Sequence, residues 1–150
     1  MKVDSRIIEI LKSINFIERY EFLSKKHQFD LKESFERYDR EVVLKLFNEL
    51  GYEFSFNKKE NFFWMVEKTT ECELQFKISL KYGMGEFIWL AWKNSEQLVG
   101  GTWGIIKEQL DGKENDKIKK PIFRNYDDLK EILSEAFLMY EDFKNEIIVL

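Results

Sequence analysis

The sequence predicts an α+β domain: helices packed on one face of a four-stranded antiparallel meander. Three observations carry this reading. Apolar residues recur every three or four positions towards both ends of the chain. Between Tyr52 and Trp92 the period changes to two, and clusters of turn-forming residues separate the segments. At 150 residues, 44% hydrophobic and 16% aromatic, the chain reads as one domain spanning residues 1–150 with a single core.

Asp4 or Ser5 is placed to cap a first helix whose stripe is Ile7, Ile10, Leu11, Ile14 and Ile17. That pattern weakens between Asn15 and Lys26, where a bend or a second short helix fits. Asp30 with Glu33 has the form of a capping box. It opens a second main helix that buries Phe35, Tyr38, Val42, Leu46 and Leu50 and stops at Gly51. Tyr52, Phe54 and Phe56 alternate with polar residues in a first strand, and Lys58-Lys59-Glu60-Asn61 connects it to a second from Phe62 to Lys68. After a turn at Thr69-Thr70-Glu71, the third strand sends Cys72, Leu74, Phe76, Ile78 and Leu80 to the core. It sends Glu73, Gln75, Lys77, Ser79 and Lys81 to water.

The stretch Tyr82 to Lys93 supplies a tight turn at Gly83-Met84-Gly85 and then a fourth strand. That strand is apolar on both rows: Phe87, Trp89 and Ala91 form one, Ile88, Leu90 and Trp92 the other. The row containing Trp92 needs a cover, and the short helix that follows is the expected one. Val99 to Gly104 reads as a glycine-rich loop, with Thr102 capping that helix and Gly112 terminating it. Asp111 to Lys120 is polar, mixed in charge and without periodicity, which predicts an exposed, mobile loop. Asn125 or Asp127 then caps a long final helix buried along Leu129, Ile132, Leu133, Ala136, Phe137, Tyr140, Phe143 and Ile147.

Several chemistries lack their residues. His27 and Cys72 are the only residues of their types, so no His/Cys cluster is expected for zinc or iron. Cys72 begins a core-facing row while His27 sits in a polar segment, which predicts a buried thiol and an exposed imidazole that do not meet. Gly83-Met84-Gly85 lacks a third glycine at Ile88, and Gly100 to Gly104 lacks the lysine of a phosphate loop. The latter could still present backbone N–H groups to an anion. Glu71, Glu73 and Glu86 could approach one another across neighbouring strands. No cofactor, metal or enzymatic activity is expected.

The N-terminal MKVDSRIIEILKS is too polar for a secretory signal, and no apolar run approaches the roughly 20 residues of a membrane span. With one cysteine and hence no internal disulfide, a cytoplasmic setting is expected, with no membrane partner. The net charge of -4 disfavours nucleic acid as a partner. From Ile122 onward Arg124, Lys130 and Lys144 face Asp127, Asp128, Glu131, Glu135, Glu141, Asp142 and Glu146, so the acidity lies at this end. Such an end steers a basic partner, or is simply a solvated helix face.

The phrases YDREVVLKLFNELGY (Tyr38 to Tyr52), VGGTWGIIKEQLDG (Val99 to Gly112) and PIFRNYDDLKEILSEAFLMYEDFKNEI (Pro121 to Ile147) carry a resemblance. The chain resembles the small bacterial immunity proteins, antitoxins that neutralise the toxin domains of polymorphic and contact-dependent growth inhibition systems. The resemblance implies a cytosolic inhibitor with no activity of its own, which binds one cognate toxin domain, a basic nuclease being the expected kind. On that reading Asp127, Asp128, Glu131 and Glu135 form the first expected contact surface, and Glu71, Glu73, Glu86 and Trp92 on the sheet the second. The alternative is a ligand-binding or regulatory domain with a pocket between sheet and helices, lined by Trp64, Trp89, Trp92 and Trp103.

Overall fold

A computed structural model describes residues 4–150; the first three residues of the polar N-terminal stretch lie outside the described residues. The α+β class holds, with five strands instead of four and three N-terminal α-helices instead of two. The helices are α1 (Ser5–Ser13), α2 (Phe16–Lys26), α3 (Arg40–Glu49), α4 (Trp103–Asp111) and α5 (Tyr126–Ile148). The strands β1 (Ser55–Asn57), β2 (Phe62–Lys68), β3 (Cys72–Ser79), β4 (Glu86–Lys93) and β5 (Glu96–Thr102) form one antiparallel meander in chain order.

Asp4 caps α1 by accepting from the Arg6 N–H, and Asn15, at φ 57°, separates α1 from α2. The expected capping box does not start a helix. Asp30 caps only a single 3-10 turn (Leu31–Glu33), and α3 begins nine residues later behind Asp39, which accepts from the Glu41 N–H. The α3 stripe keeps Leu46 but takes Val43 and Phe47 beside it, leaving Val42 and Leu50 only partly buried. Phe35 and Tyr38 lie outside the helix and pack on Phe123 instead.

The fifth strand was concealed by its composition. Gly100 and Gly101 interrupt the alternation that marks a strand, yet they pair with Leu90 and Trp89. A Cβ on Gly101 would meet the Ile105 side chain of α4 at 3.4 Å, an ordinary contact distance. At the other expected turn, Tyr82 and Gly83 both have positive φ. A Cβ on Gly83 would lie 2.7 Å from the Phe35 nitrogen, and the Gly83 carbonyl accepts from the Phe123 N–H. That glycine is where three chain segments meet. It is a packing feature and not a phosphate loop.

All five α-helices join one core. Phe16 of α2 meets Trp89 and Trp103, Phe47 of α3 meets Phe54 and Phe63, and Phe76 touches Phe137 and Tyr140 of α5. These strand residues belong to a single row, the one containing Phe63, Phe76, Phe87 and Trp89. The helix α4 also packs on that row, through Trp103 on Phe87 and Trp89. The expectation that α4 covers the side of Trp92 is therefore wrong. Thr102, the last residue of β5, turns the chain towards the row that Gly101 shares with Trp89. The opposite row, with Trp64, Val66, Ile88, Leu90 and Trp92, forms the outer face of the sheet.

Thr102 caps α4 as expected, accepting from the Ile105 N–H, and Gly112 closes it at φ 71°. The following loop is exposed but tied down. Lys107 is buried, with its ammonium 2.9 Å from an Asp111 carboxylate oxygen and hydrogen-bonded to the Asp116 carbonyl. Asn125 caps α5 by accepting from the Asp128 N–H.

Candidate functional site

The acidic residues of α5 do not act alike. Asp128 is buried and receives three bonds from Arg124: the backbone N–H at 3.0 Å, Nε at 2.8 Å and a terminal nitrogen at 3.3 Å. The side-chain bond from Arg124 holds the Asp128 carboxyl below its ordinary range, against the opposing effect of burial. The same guanidinium lies over the Phe29 ring at 3.6 Å. Asp128 thus fastens the Pro121–Asn125 segment to α5, and its charge is spent internally.

Asp127, Glu131 and Glu135 remain on the surface, four residues apart and hence on one stripe of α5. They edge a groove of about 250 Å³ between α2 and α5, lined also by Phe22, Leu23, Lys26, His27, Lys130 and Ser134. The seam beside it is antiparallel. Lys26 pairs with Glu131 at 2.5 Å at one end, and Arg19 pairs with Asp142 at 2.7 Å at the other. Between them Phe22 is 64% exposed, and Leu138, one turn beyond Ser134, is 56% exposed.

His27 is not the exposed imidazole expected of its polar surroundings. It is 2% exposed, and its Nδ1 has no hydrogen-bond partner among the described residues. The chain continues from His27 under the Pro121–Phe123 segment, where the His27 carbonyl accepts from the Ile122 N–H. Desolvation lowers the imidazole's proton affinity, outweighing the opposite pull of Glu131 and Asp128. Sequence reasoning also passed over Phe22. The buried residues of α2 are Phe16, Tyr20, Leu23 and Ser24, and Phe22 falls off that stripe. A large aromatic out of phase with its helix was the available signal.

On the sheet, the three glutamates do not converge. Glu73 pairs with Trp92 and Glu86 with Ser79, at opposite ends of β3. Six residues of strand, about 20 Å, separate them. Glu73 pairs with Lys68 at 3.4 Å, Glu86 with Lys120 at 3.0 Å, and Glu71 stands 4.0 Å from Lys93. Glu71, Glu73 and Trp92 do share one shallow cavity of about 370 Å³ at the Thr69–Thr70 turn. The four tryptophans divide between the faces: Trp89 and Trp103 are buried in the core, whereas Trp64 and Trp92 sit on the outer row. They cannot line one pocket.

A separate polar cluster joins α5 to the sheet edge. The hydroxyl of Tyr140 donates to Glu67 at 2.6 Å and that of Tyr52 donates to Glu141 at 2.5 Å. Lys144 bridges the two carboxylates at 3.3 and 3.0 Å. Burial, then the neighbouring carboxylates, raises the proton affinity of both tyrosines. Each member has its partner within the cluster, which suits a fastening role.

Among the described residues no group of three or more His, Cys, Asp or Glu is placed to hold a metal ion. No helix there is long and apolar enough to cross a membrane. The fold and site define a helices-on-sheet α+β domain with an acidic groove on its helical side. No family model, curated protein or solved structure matches the chain.

Proposed function

We propose that this protein is an immunity-type inhibitor: a bacterial, cytoplasmic antitoxin without activity of its own that neutralises a cognate nuclease-type toxin domain by stoichiometric binding. One observation carries the reading. Two large apolar side chains, Phe22 and Leu138, stand exposed on the α2–α5 surface within a frame of carboxylates from Asp127, Glu131, Glu135 and Asp142. An aromatic anchor inside a charged rim is the arrangement by which protein interfaces concentrate their affinity. The carboxylates accelerate encounter with a basic surface, and an acidic inhibitor can cover the region with which a nuclease holds phosphate. Compared with the sequence reading, the contact surface keeps Asp127, Glu131 and Glu135, drops Asp128 into a structural role and gains Phe22.

The competing ligand-binding reading relied on a shared aromatic pocket, and the packing of Trp89 and Trp103 into the core removes that support. The test is co-expression with the C-terminal domain encoded by the adjacent reading frame. Growth arrest by that domain, relieved by this chain through a one-to-one complex, is the expected result. A toxic neighbour that this chain neither binds nor relieves would overturn the reading.

A further inference from the structure

We propose that the groove between α2 and α5 is a receptor for an arginine side chain presented by the partner protein; this rests on the reading of the chain as a binder of a basic protein. Charge comes first. Asp127, Glu131 and Glu135 follow one another at four-residue spacing, and like charges so placed repel along a helix. A cation among them relieves that repulsion. The molecule already supplies two, Lys26 from α2 and Lys130 on α5 itself, and of these only Lys26 forms an ion pair with the row, at the middle carboxylate, Glu131. Asp127 and Glu135, on the same helix as Lys130, form no ion pair among the described residues and are left to a cation from outside.

The remaining lining selects the kind of cation. Phe22 offers an exposed aromatic ring, against which a guanidinium stacks better than an ammonium does. His27 adds a buried imidazole to the wall of the groove, and its Nδ1 is enclosed without a hydrogen-bond partner among the described residues. At about 250 Å³ the groove is smaller than the roughly 300 Å³ at which small-molecule sites begin, so it suits a side chain more than a free metabolite. A few residues away the protein holds its own guanidinium by the same pairing of parts. Arg124 lies over Phe29 at 3.6 Å and bonds Asp128. Phe22 and Glu135 both line the groove, an aromatic face and a carboxylate with no cation–π contact or ion pair among the described residues.

The sole histidine makes the test direct, because its ring resonances report on this groove alone. N-acetyl-arginine amide is titrated into the full chain at constant ionic strength, with N-acetyl-citrulline amide as the uncharged isostere. The expected result is a saturable shift of the His27 ring signals, with citrulline at least tenfold weaker. Glu135→Gln or Phe22→Ala should weaken arginine binding at least fivefold, and thermal unfolding verifies that both variants remain folded. A shift that does not saturate, equal binding of citrulline, or indifference to both substitutions overturns the proposal. The toxin assay separates the two ideas. Neutralisation that survives Glu135→Gln and Phe22→Ala together removes the arginine receptor and leaves the inhibitor standing. Arginine binding by a chain that relieves no toxin does the reverse.

Discussion

Trp89 of β4 lies flat against Phe143 of α5, their ring centroids 4.5 Å apart and their planes 13° from parallel. This contact joins the centre of the sheet to the longest helix, and both residues are almost wholly buried. Truncating either to alanine should cost about 3–5 kcal/mol, the usual range for an aromatic removed from a packed core. The double variant should show about 0.5–1.5 kcal/mol of coupling, as expected for a stacked pair. Urea unfolding of Phe143→Leu, Phe143→Ala and the matching Trp89 variants measures both. Strict additivity would show that the rings contribute area only.

His27 gives stability a pH dependence that one substitution can isolate. Its proton affinity is lower in the folded protein than the ordinary value of 6.5, because burial disfavours the charged ring. Below pH 6.5 the unfolded chain therefore binds more protons than the native state. The His27 contribution is complete above 6.5 and is lost as pH falls towards the folded pKa. Denaturation midpoints measured from pH 7.5 down to pH 5 should decline, and His27→Gln should flatten that decline. An equal slope in both proteins would place its cause among the carboxylates.

Asp128→Asn should separate the scaffold from the proposed docking surface. The substitution weakens the carboxylate's hold on Arg124 and with it the tie between the Pro121–Asn125 segment and α5. The melting temperature should fall. Binding of N-acetyl-arginine amide at the groove should change less than twofold, because Asp128 does not line it. A larger loss of binding with an unaltered melting temperature would reassign Asp128 to the interface.

Regular alternation made the sheet's centre legible: Phe62–Lys68 was read with its bounds correct, and the buried row Cys72, Leu74, Phe76, Ile78 and Leu80 with its face correct, although β3 stops at Ser79, before the Lys81 with which the reading ended it. Strong local chemistry did the same for Thr102 and Gly112 at the ends of α4, and at the start of α5 it narrowed the cap to Asn125 or Asp127, of which Asn125 is the one. Failures occurred where tertiary contacts override local pattern. Asp30 and Glu33 look like a helix start, but Phe35 is drawn onto Phe123 and Tyr126, and the helix waits for Asp39. In β5 Gly100 and Gly101 suppress alternation, and only their pairing with Leu90 and Trp89 reveals the strand. The groove was half legible. Its carboxylates follow from spacing on α5, whereas Phe22 belongs to α2 and His27 ends it, and no local pattern reveals the position of α2 against α5.

The sheet's outer row predicts a division among the tryptophans. Trp64 is 39% exposed and Trp92 partly so, while Trp89 and Trp103 are enclosed. Acrylamide should quench about half of the emission readily, and Trp64→Phe with Trp92→Phe should remove that accessible fraction. Protection of these two in the native chain at high concentration, reversed on dilution, would reveal that a second copy covers the face.

The β4–β5 hairpin offers a substitution that should stabilise the fold. Asn94 and Ser95 connect the strands, Lys93 pairs with Glu96, and φ is 50° and 68° at the two turn residues. A two-residue turn with both φ values positive matches the twist of the strands it joins, and the favoured sequence for it is Asn-Gly. Asn94 already fits. Ser95 instead holds a Cβ in the left-handed region, which costs about 1–2 kcal/mol. Glycine removes that strain but brings greater freedom to the unfolded chain, an offset of roughly 0.5–1 kcal/mol. Ser95→Gly should therefore raise stability by about 0.5–1 kcal/mol, seen as a higher urea midpoint with an unchanged slope. Ser95→Val should shift the midpoint the other way, since a β-branched side chain tolerates positive φ least. If glycine lowered the midpoint and valine raised it, the backbone at residue 95 would have to lie in the extended region, and the register of β5 against β4 would change with it.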